Sequence, residues 1–192
     1  MGLEVAFPCD REGVLALLPH RDPFVWVSRI VSCKPGESIV AELDVDPELP
    51  LFAGHFPGHP VLPGVILMEA LAQAACCCLL SEEGQAGRIG YLAGIDKAKF
   101  RRTVLPGDTV SLEATITRNS SRMCVADVGA RVEGEVCAQA TQKYVMAKVQ
   151  EEGEQYWLNL TLPLRTARSY ISYRCSSRQS MPPCWWLAMA LP

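Results

Sequence analysis

The chain has 192 residues, 49% of them apolar and 20% charged, with a formal net charge of −3. That length suits one domain with room for a tail, and it carries enough apolar side chains for a substantial core. The charged residues after Glu154 are Arg165, Arg168, Arg174 and Arg178, so residues 1–154 hold 14 basic against 21 acidic groups, a net of −7 that argues against general nucleic-acid binding.

The longest apolar run is broken by Glu69 and Gln73, short of the roughly 18 residues of a membrane span. Met1–Asp10 lacks the basic-then-apolar pattern of a secretory leader. Nine cysteines include three in succession, Cys76, Cys77 and Cys78, and no Cys-x-x-Cys pair. Adjacent thiols on one element cannot all be bridged locally, so they are expected as small buried side chains in a reducing, cytoplasmic setting.

In chain order, Asp10–Leu18 predicts a short helix capped by Asp10 and stopped by Pro19. Phe24–Cys33 and Ser38–Val45 are β-rich runs flanking a Pro35-Gly36 turn, and are expected to pair antiparallel. Pro47 and Pro50 lead into residues 55–63, where Pro57, Pro60 and Pro63 exclude helix. From Gly64 to Leu80 the chain is apolar nearly all round, the pattern of an internal helix. Arg88–Ile95 and Ala98–Val104 predict two strand segments, and Pro106-Gly107-Asp108 a turn. Thr109–Thr117, Met123–Val132 and Glu135–Lys148 predict a meander turning at Asn119–Ser121 and Glu133-Gly134. The inventory is one long buried helix and about six strands, an α+β domain over residues 1–150 with a sheet curled around its helix. Residues 151–192 lose periodicity and predict a poorly ordered extension, in which Trp185-Trp186-Leu187 is an apolar patch with no assigned chemistry.

Three histidines bear on chemistry. His20, in Leu18-Pro-His-Arg-Asp-Pro23, predicts a structural imidazole hydrogen-bonded to backbone. His55 and His59 have the spacing of a helical metal pair, but Pro57, Gly58 and Pro60 remove the helix that would align them, so no zinc site is expected. His55 alone has the chemistry of a general base. Glu69 on a buried helix needs a partner, and can orient an imidazole or act as a second acid–base group. The amides at the start of the helix, with Gly64 permitting close approach, provide an oxyanion site. Base, carboxylate and oxyanion donors suit proton abstraction beside a thioester carbonyl; a satisfied core glutamate and a surface histidine are the alternative reading of the same residues. Arg88, Lys97, Lys99, Arg101 and Arg102 form a basic cluster in the sequence, read either as solvated strand-end charges or as a docking patch for an acidic partner.

Leu18-Pro-His-Arg-Asp-Pro-Phe24, Gly54-His-Phe-Pro-Gly-His-Pro-Val-Leu-Pro-Gly64, Met68-Glu-Ala-Leu-Ala-Gln73 and Ala93–Arg102 followed by Pro106-Gly-Asp108 resemble the (3R)-hydroxyacyl-[acyl carrier protein] dehydratases of type II fatty acid synthesis. The match runs in order over residues 11–148. The resemblance implies the hotdog fold, a dimer with sheets joined edge to edge, and often a trimer of dimers. It implies His55 and Glu69 as the catalytic pair, meeting from opposite protomers, Gly64 as the donor to the thioester oxygen, and Gln73, one turn beyond Glu69, as the support of its carboxylate. The implied partner is an acyl carrier protein greeted by the basic cluster. No metal or organic cofactor is implied, because the thioester is itself the electron sink. Similar enzymes that also isomerise carry aspartate where Glu69 stands, which weighs against isomerase activity. A hotdog thioesterase and a non-catalytic acyl-thioester-binding module remain as alternatives.

Overall fold

The computed structural model describes residues 5–85, 87–120 and 123–148. Helix α1 (Arg11–Leu17) starts where expected, because the Asp10 carboxylate accepts from the amides of Glu12 and Gly13, which otherwise lack helical partners. Strands β1 (Arg29–Lys34) and β2 (Ser38–Asp44) pair antiparallel. Their connection places Gly36 at φ +70, a conformation that suits a residue without Cβ. The first predicted strand begins five residues late: Ser28 N still reaches Glu42 O of β2, but before it the Gln73 side chain takes the Trp26 amide and the Phe24 carbonyl. A 3-10 turn at Pro50–Ala53, not foreseen from sequence, leads into the proline-rich loop.

Helix α2 (Gly64–Leu80) is followed by β3 (Arg88–Phe100), β4 (Thr109–Asn119), β5 (Cys124–Val132) and β6 (Glu135–Lys148). The six strands form one sheet in the order β1-β2-β4-β5-β6-β3, with every neighbouring pair antiparallel. The two segments predicted for residues 88–104 are one strand with two irregularities. Its register against β6 shifts between Leu92 and Gly94 and again between Asp96 and Lys99, where Lys97 adopts φ +54. Each shift inserts an extra residue that interrupts the period-two pattern, which is why the sequence looked broken there. The β5–β6 turn falls at Glu133-Gly134, both with positive φ, matching the right-handed twist of a tight hairpin.

Every α2 residue from Ala70 to Leu80 is buried. The helix touches β2, β3, β4, β5 and β6, with α1 also packed against it. Alternate residues of the central strands, such as Ile39, Ala41 and Leu43 on β2 and Val110, Leu112 and Ala114 on β4, form the opposing wall. Burying a leucine such as Leu71 or Leu112 contributes about 1.5–3 kcal/mol, so the wall and the helix are the main source of stability. Cys76, Cys77 and Cys78 are buried free thiols. Burial pushes the Cys76 thiol up to about 12, with the Glu69 charge a smaller contribution, and raises Cys77 as well. These sulfurs pack as small apolar groups.

The two sheet edges differ. Backbone bonds between Cys9 and Ile30 cover part of β1, whereas β3 is 13 residues long, pairs on one side with β6 and exposes Tyr91, Leu92, Ile95 and Phe100. Among the described residues, no helix is long and apolar enough to cross a membrane. The sequence expectations for residues 151–192, including Trp185-Trp186-Leu187, lie outside the described residues.

Candidate active site

The loop before α2 is held by its own backbone. His55 donates its amide to Leu51 O and accepts from Val61 N, Phe56 and His59 exchange both of their backbone bonds, and Leu62 N reaches Val104 O. This arrangement presents a half-buried His55 whose Nδ1 lies 2.7 Å from Val61 O. A carbonyl only accepts, so Nδ1 carries the hydrogen and Nε2 keeps its lone pair. The ring is therefore in the tautomer that a general base needs, set by a backbone atom six residues away. Phe56 stacks on it at 4.1 Å. His59 is exposed.

The first turn of α2 has Pro63 before it and no side-chain cap. Ile66 N and Leu67 N both turn to Pro63 O. The amides of Gly64 and Val65 have no partner among the described residues, and the partial positive charge of the helix start is concentrated there. A Cβ at Gly64 would meet the Phe100 ring at 2.8 Å. Phe100 of β3 therefore lies close over the helix start, and a side chain at position 64 would displace its ring.

Glu69 and Gln73, one turn apart on α2, form a bonded pair: Gln73 Nε2 donates to Glu69 Oε1 at 3.0 Å. Gln73 is buried and fully used, since its Oε1 accepts from Trp26 N at 2.8 Å and its Nε2 also donates to Phe24 O at 2.9 Å. Its removal takes this partner from the buried Trp26 amide and from the Phe24 carbonyl. A pocket of about 420 Å³ opens beside Glu69, with Gln73, Cys76, Tyr91, Leu92 and Tyr144 among its walls. Tyr144, fully buried, is fixed from behind: its hydroxyl donates to Gln142 Oε1, and Gln142 Nε2 donates to Met68 O.

His55 is not among the residues lining this pocket. His20 is, and its place differs from the sequence expectation. Among the described residues its ring has no backbone partner; Nε2 faces Glu69 Oε1 at 3.6 Å, and Nδ1 is buried without a hydrogen bond. A single proline-bounded histidine gave no signal that distinguished a structural ring from one aimed at a carboxylate far along the chain.

The five basic residues are not one patch. Lys97, Lys99 and Arg101 are exposed at one end of β3. Arg102, beside them, donates to Val132 O and pairs with Glu133 and Glu135. Arg88 begins β3, about 30 Å from Lys97 at strand rise, and donates to Gln85 Oε1 and Met146 O. Extended backbone separated what proximity in sequence suggested. Among the described residues, no three His, Cys, Asp or Glu side chains gather as a metal-ligand set.

The model of the FabA-like domain family matches residues 18–161. The chain belongs to the FabA-like family. This FabA-like chain is 42% identical over 132 residues to the 3-hydroxyacyl-[acyl-carrier-protein] dehydratase FabZ of Ruminiclostridium cellulolyticum, which spans 69% of this chain and 93% of that protein. It is 40% identical over 138 residues to the protein of the same name from Listeria welshimeri, spanning 72% of this chain and 96% of that one. Among solved structures it is similar to a chain of the dehydratase heterocomplex ApeI:P from Xenorhabdus doucetiae, with a TM-score of 0.61 at 18% identity over 74% of this chain and 93% of that chain. That likeness speaks for the fold alone. With the six-stranded antiparallel sheet and its helix, it bears out the hotdog architecture expected from the sequence.

Proposed function

We propose that this FabA-like protein is a 3-hydroxyacyl-[acyl carrier protein] dehydratase of fatty acid biosynthesis, a hydro-lyase that converts (3R)-3-hydroxyacyl thioesters reversibly to trans-2-enoyl thioesters. The observation that carries the reading is the bare Nε2 of His55, fixed by the Val61 carbonyl, in a chain whose relatives bear that name. In the proposed reaction Nε2 removes the proton from C2 of the substrate. The Gly64 amide donates to the thioester oxygen, where negative charge develops. Glu69 gives its proton to the 3-hydroxyl as the C3–O bond breaks; water leaves and the C2–C3 double bond remains. The proton on His55 then returns the pair to its starting state by way of Glu69.

In this reading the imidazole and the carboxylate come from two copies of the chain. Its support is that the Glu69 pocket in one protomer is lined without His55, and that β3, an edge strand with apolar side chains exposed, is suited to pair with a second copy. A trimer of such dimers extends the same proposal. The pocket beside Glu69 takes the acyl chain, and Lys97, Lys99 and Arg101, with Arg102 partly neutralised beside them, meet an acidic carrier protein. Residues 1–150 form the catalytic domain and 151–192 an extension. A cytoplasmic site of action fits three adjacent buried thiols, which suit a reducing compartment.

The test supplies a crotonyl thioester on acyl carrier protein and follows enoyl absorbance together with free thiol. Loss of absorbance without thiol, abolished by His55→Ala and by Glu69→Gln, is the expected result. Thiol release marks a thioesterase, binding with neither change marks a non-catalytic module, and either outcome contradicts the proposal.

A further inference from the structure

Glu69 has two carboxylate oxygens, and general acid catalysis needs one of them free to exchange a proton while the other is held. Among the described residues, the carboxylate meets Gln73 and His20 through Oε1. Gln73 Nε2 donates to it at 3.0 Å, and His20 Nε2 stands 3.6 Å away. The His20 and Glu69 side chains are 25% and 24% exposed, so the pair is largely shielded yet open to the pocket that both line. Among the described residues His20 Nδ1 is buried without a hydrogen-bond partner. An unpaired N–H there costs more than a bare lone pair, which puts the ring hydrogen on Nε2, pointed at the carboxylate.

The ring is also built into place. Arg21 Nη1 donates to Leu18 O and to His20 O, closing the turn that carries it. Phe24 lies nearly parallel to the imidazole at 6.2 Å, with Trp26 edge-on behind Phe24. Gln73 holds the backbone of both aromatic residues. One amide side chain therefore secures the carboxylate and also the segment that brings the imidazole to it.

We propose that His20 is a positioning residue: with Gln73 it holds Glu69 Oε1 from a second side, leaving Oε2 to exchange the proton with the substrate hydroxyl. This rests on the dehydratase reading of Glu69. A separation of 3.6 Å exceeds a hydrogen bond; contacts of this kind shorten when a substrate fills the site. His20 touches no reacting atom and acts only through Glu69.

Two substitutions separate the donor from the ring. His20→Phe keeps a ring against Phe24 and removes both nitrogens, whereas His20→Gln returns an N–H near the place of Nε2. In steady-state hydration of a crotonyl thioester, His20→Phe lowers kcat about tenfold or more with KM changed less than about twofold, the size of effect of one hydrogen bond to a charged group. His20→Gln recovers kcat to within about threefold of the parent. Introduced beside Glu69→Gln, His20→Phe costs no further residual rate, because its route is already closed.

Parental kcat in His20→Phe, equal loss in both His20 variants at unchanged thermal stability, a loss confined to KM, or a full additional loss beside Glu69→Gln would each overturn the proposal. Full activity in Glu69→Gln alone overturns the dehydratase reading and this inference with it. An inactive Glu69→Gln beside a fully active His20→Phe removes only the inference.

Discussion

The centre of the sheet and its β3 edge are made of similar residues used in opposite ways. On β4, Val110, Leu112 and Ala114 point into α2 and are buried; on β3, Tyr91, Leu92, Ile95 and Phe100 remain exposed along a strand with one hydrogen-bonded neighbour among the described residues. The centre is complete within one chain. The edge presents apolar side chains at the surface, and the Glu69 pocket opens beside it, with Tyr91 and Leu92 in its wall. Stability and the proposed catalysis are thus assigned to different regions: the centre holds the helix, and the edge is where the proposed second copy completes the site.

The largest effect on stability belongs to the centre. Leu112→Ala, which opens a cavity against α2, is expected to cost about 2–5 kcal/mol by denaturant titration at every protein concentration. Next comes the tie between helix and site. Gln73→Leu leaves Trp26 N–H and Phe24 O without their partner, and costs roughly 2 kcal/mol in the same titration. Unchanged stability there would mean that the Phe24–Ser28 segment is secured by packing instead.

The edge responds differently. Ile95→Lys places a charge on exposed β3, away from the pocket walls, and should leave thermal unfolding of the single chain little changed. It is expected to lower specific activity about tenfold in dilute protein, with recovery as concentration rises and a monomer in sedimentation at low concentration. Activity independent of concentration would assign β3 no part in assembly. The smallest effect lies far from both regions: Asp10→Ala removes the α1 cap and costs about 1 kcal/mol, with kcat unchanged.

Much of this organisation was legible in the sequence. The apolar run from Gly64, the prolines before it and the Asp10 cap are local signals, and local physics decided them. What escaped was decided at long range. Phe24–Ser28 has the composition of a strand, but Gln73, 47 residues beyond Trp26, claims the Trp26 amide and the Phe24 carbonyl. The break in β3 came from inserted residues within one strand, which no alternation rule could separate from a turn. Arg88 stands next to Lys97 only in sequence. The family motifs pointed to Glu69 and Gln73 as a pair, and the helix spacing made their contact predictable; the approach of His20 to the same carboxylate oxygen depended on how the segment before β1 folds across α2.

The proposed dehydration depends most on a site divided between two copies, and mixing two inactive variants tests that division directly. His55→Ala and Glu69→Gln, each purified and then allowed to exchange subunits, should together regain about a quarter of parental hydration activity, because half of the random pairs are mixed and each mixed pair restores one of its two sites. No recovery, with exchange demonstrated by labelled subunits, would contradict a shared site.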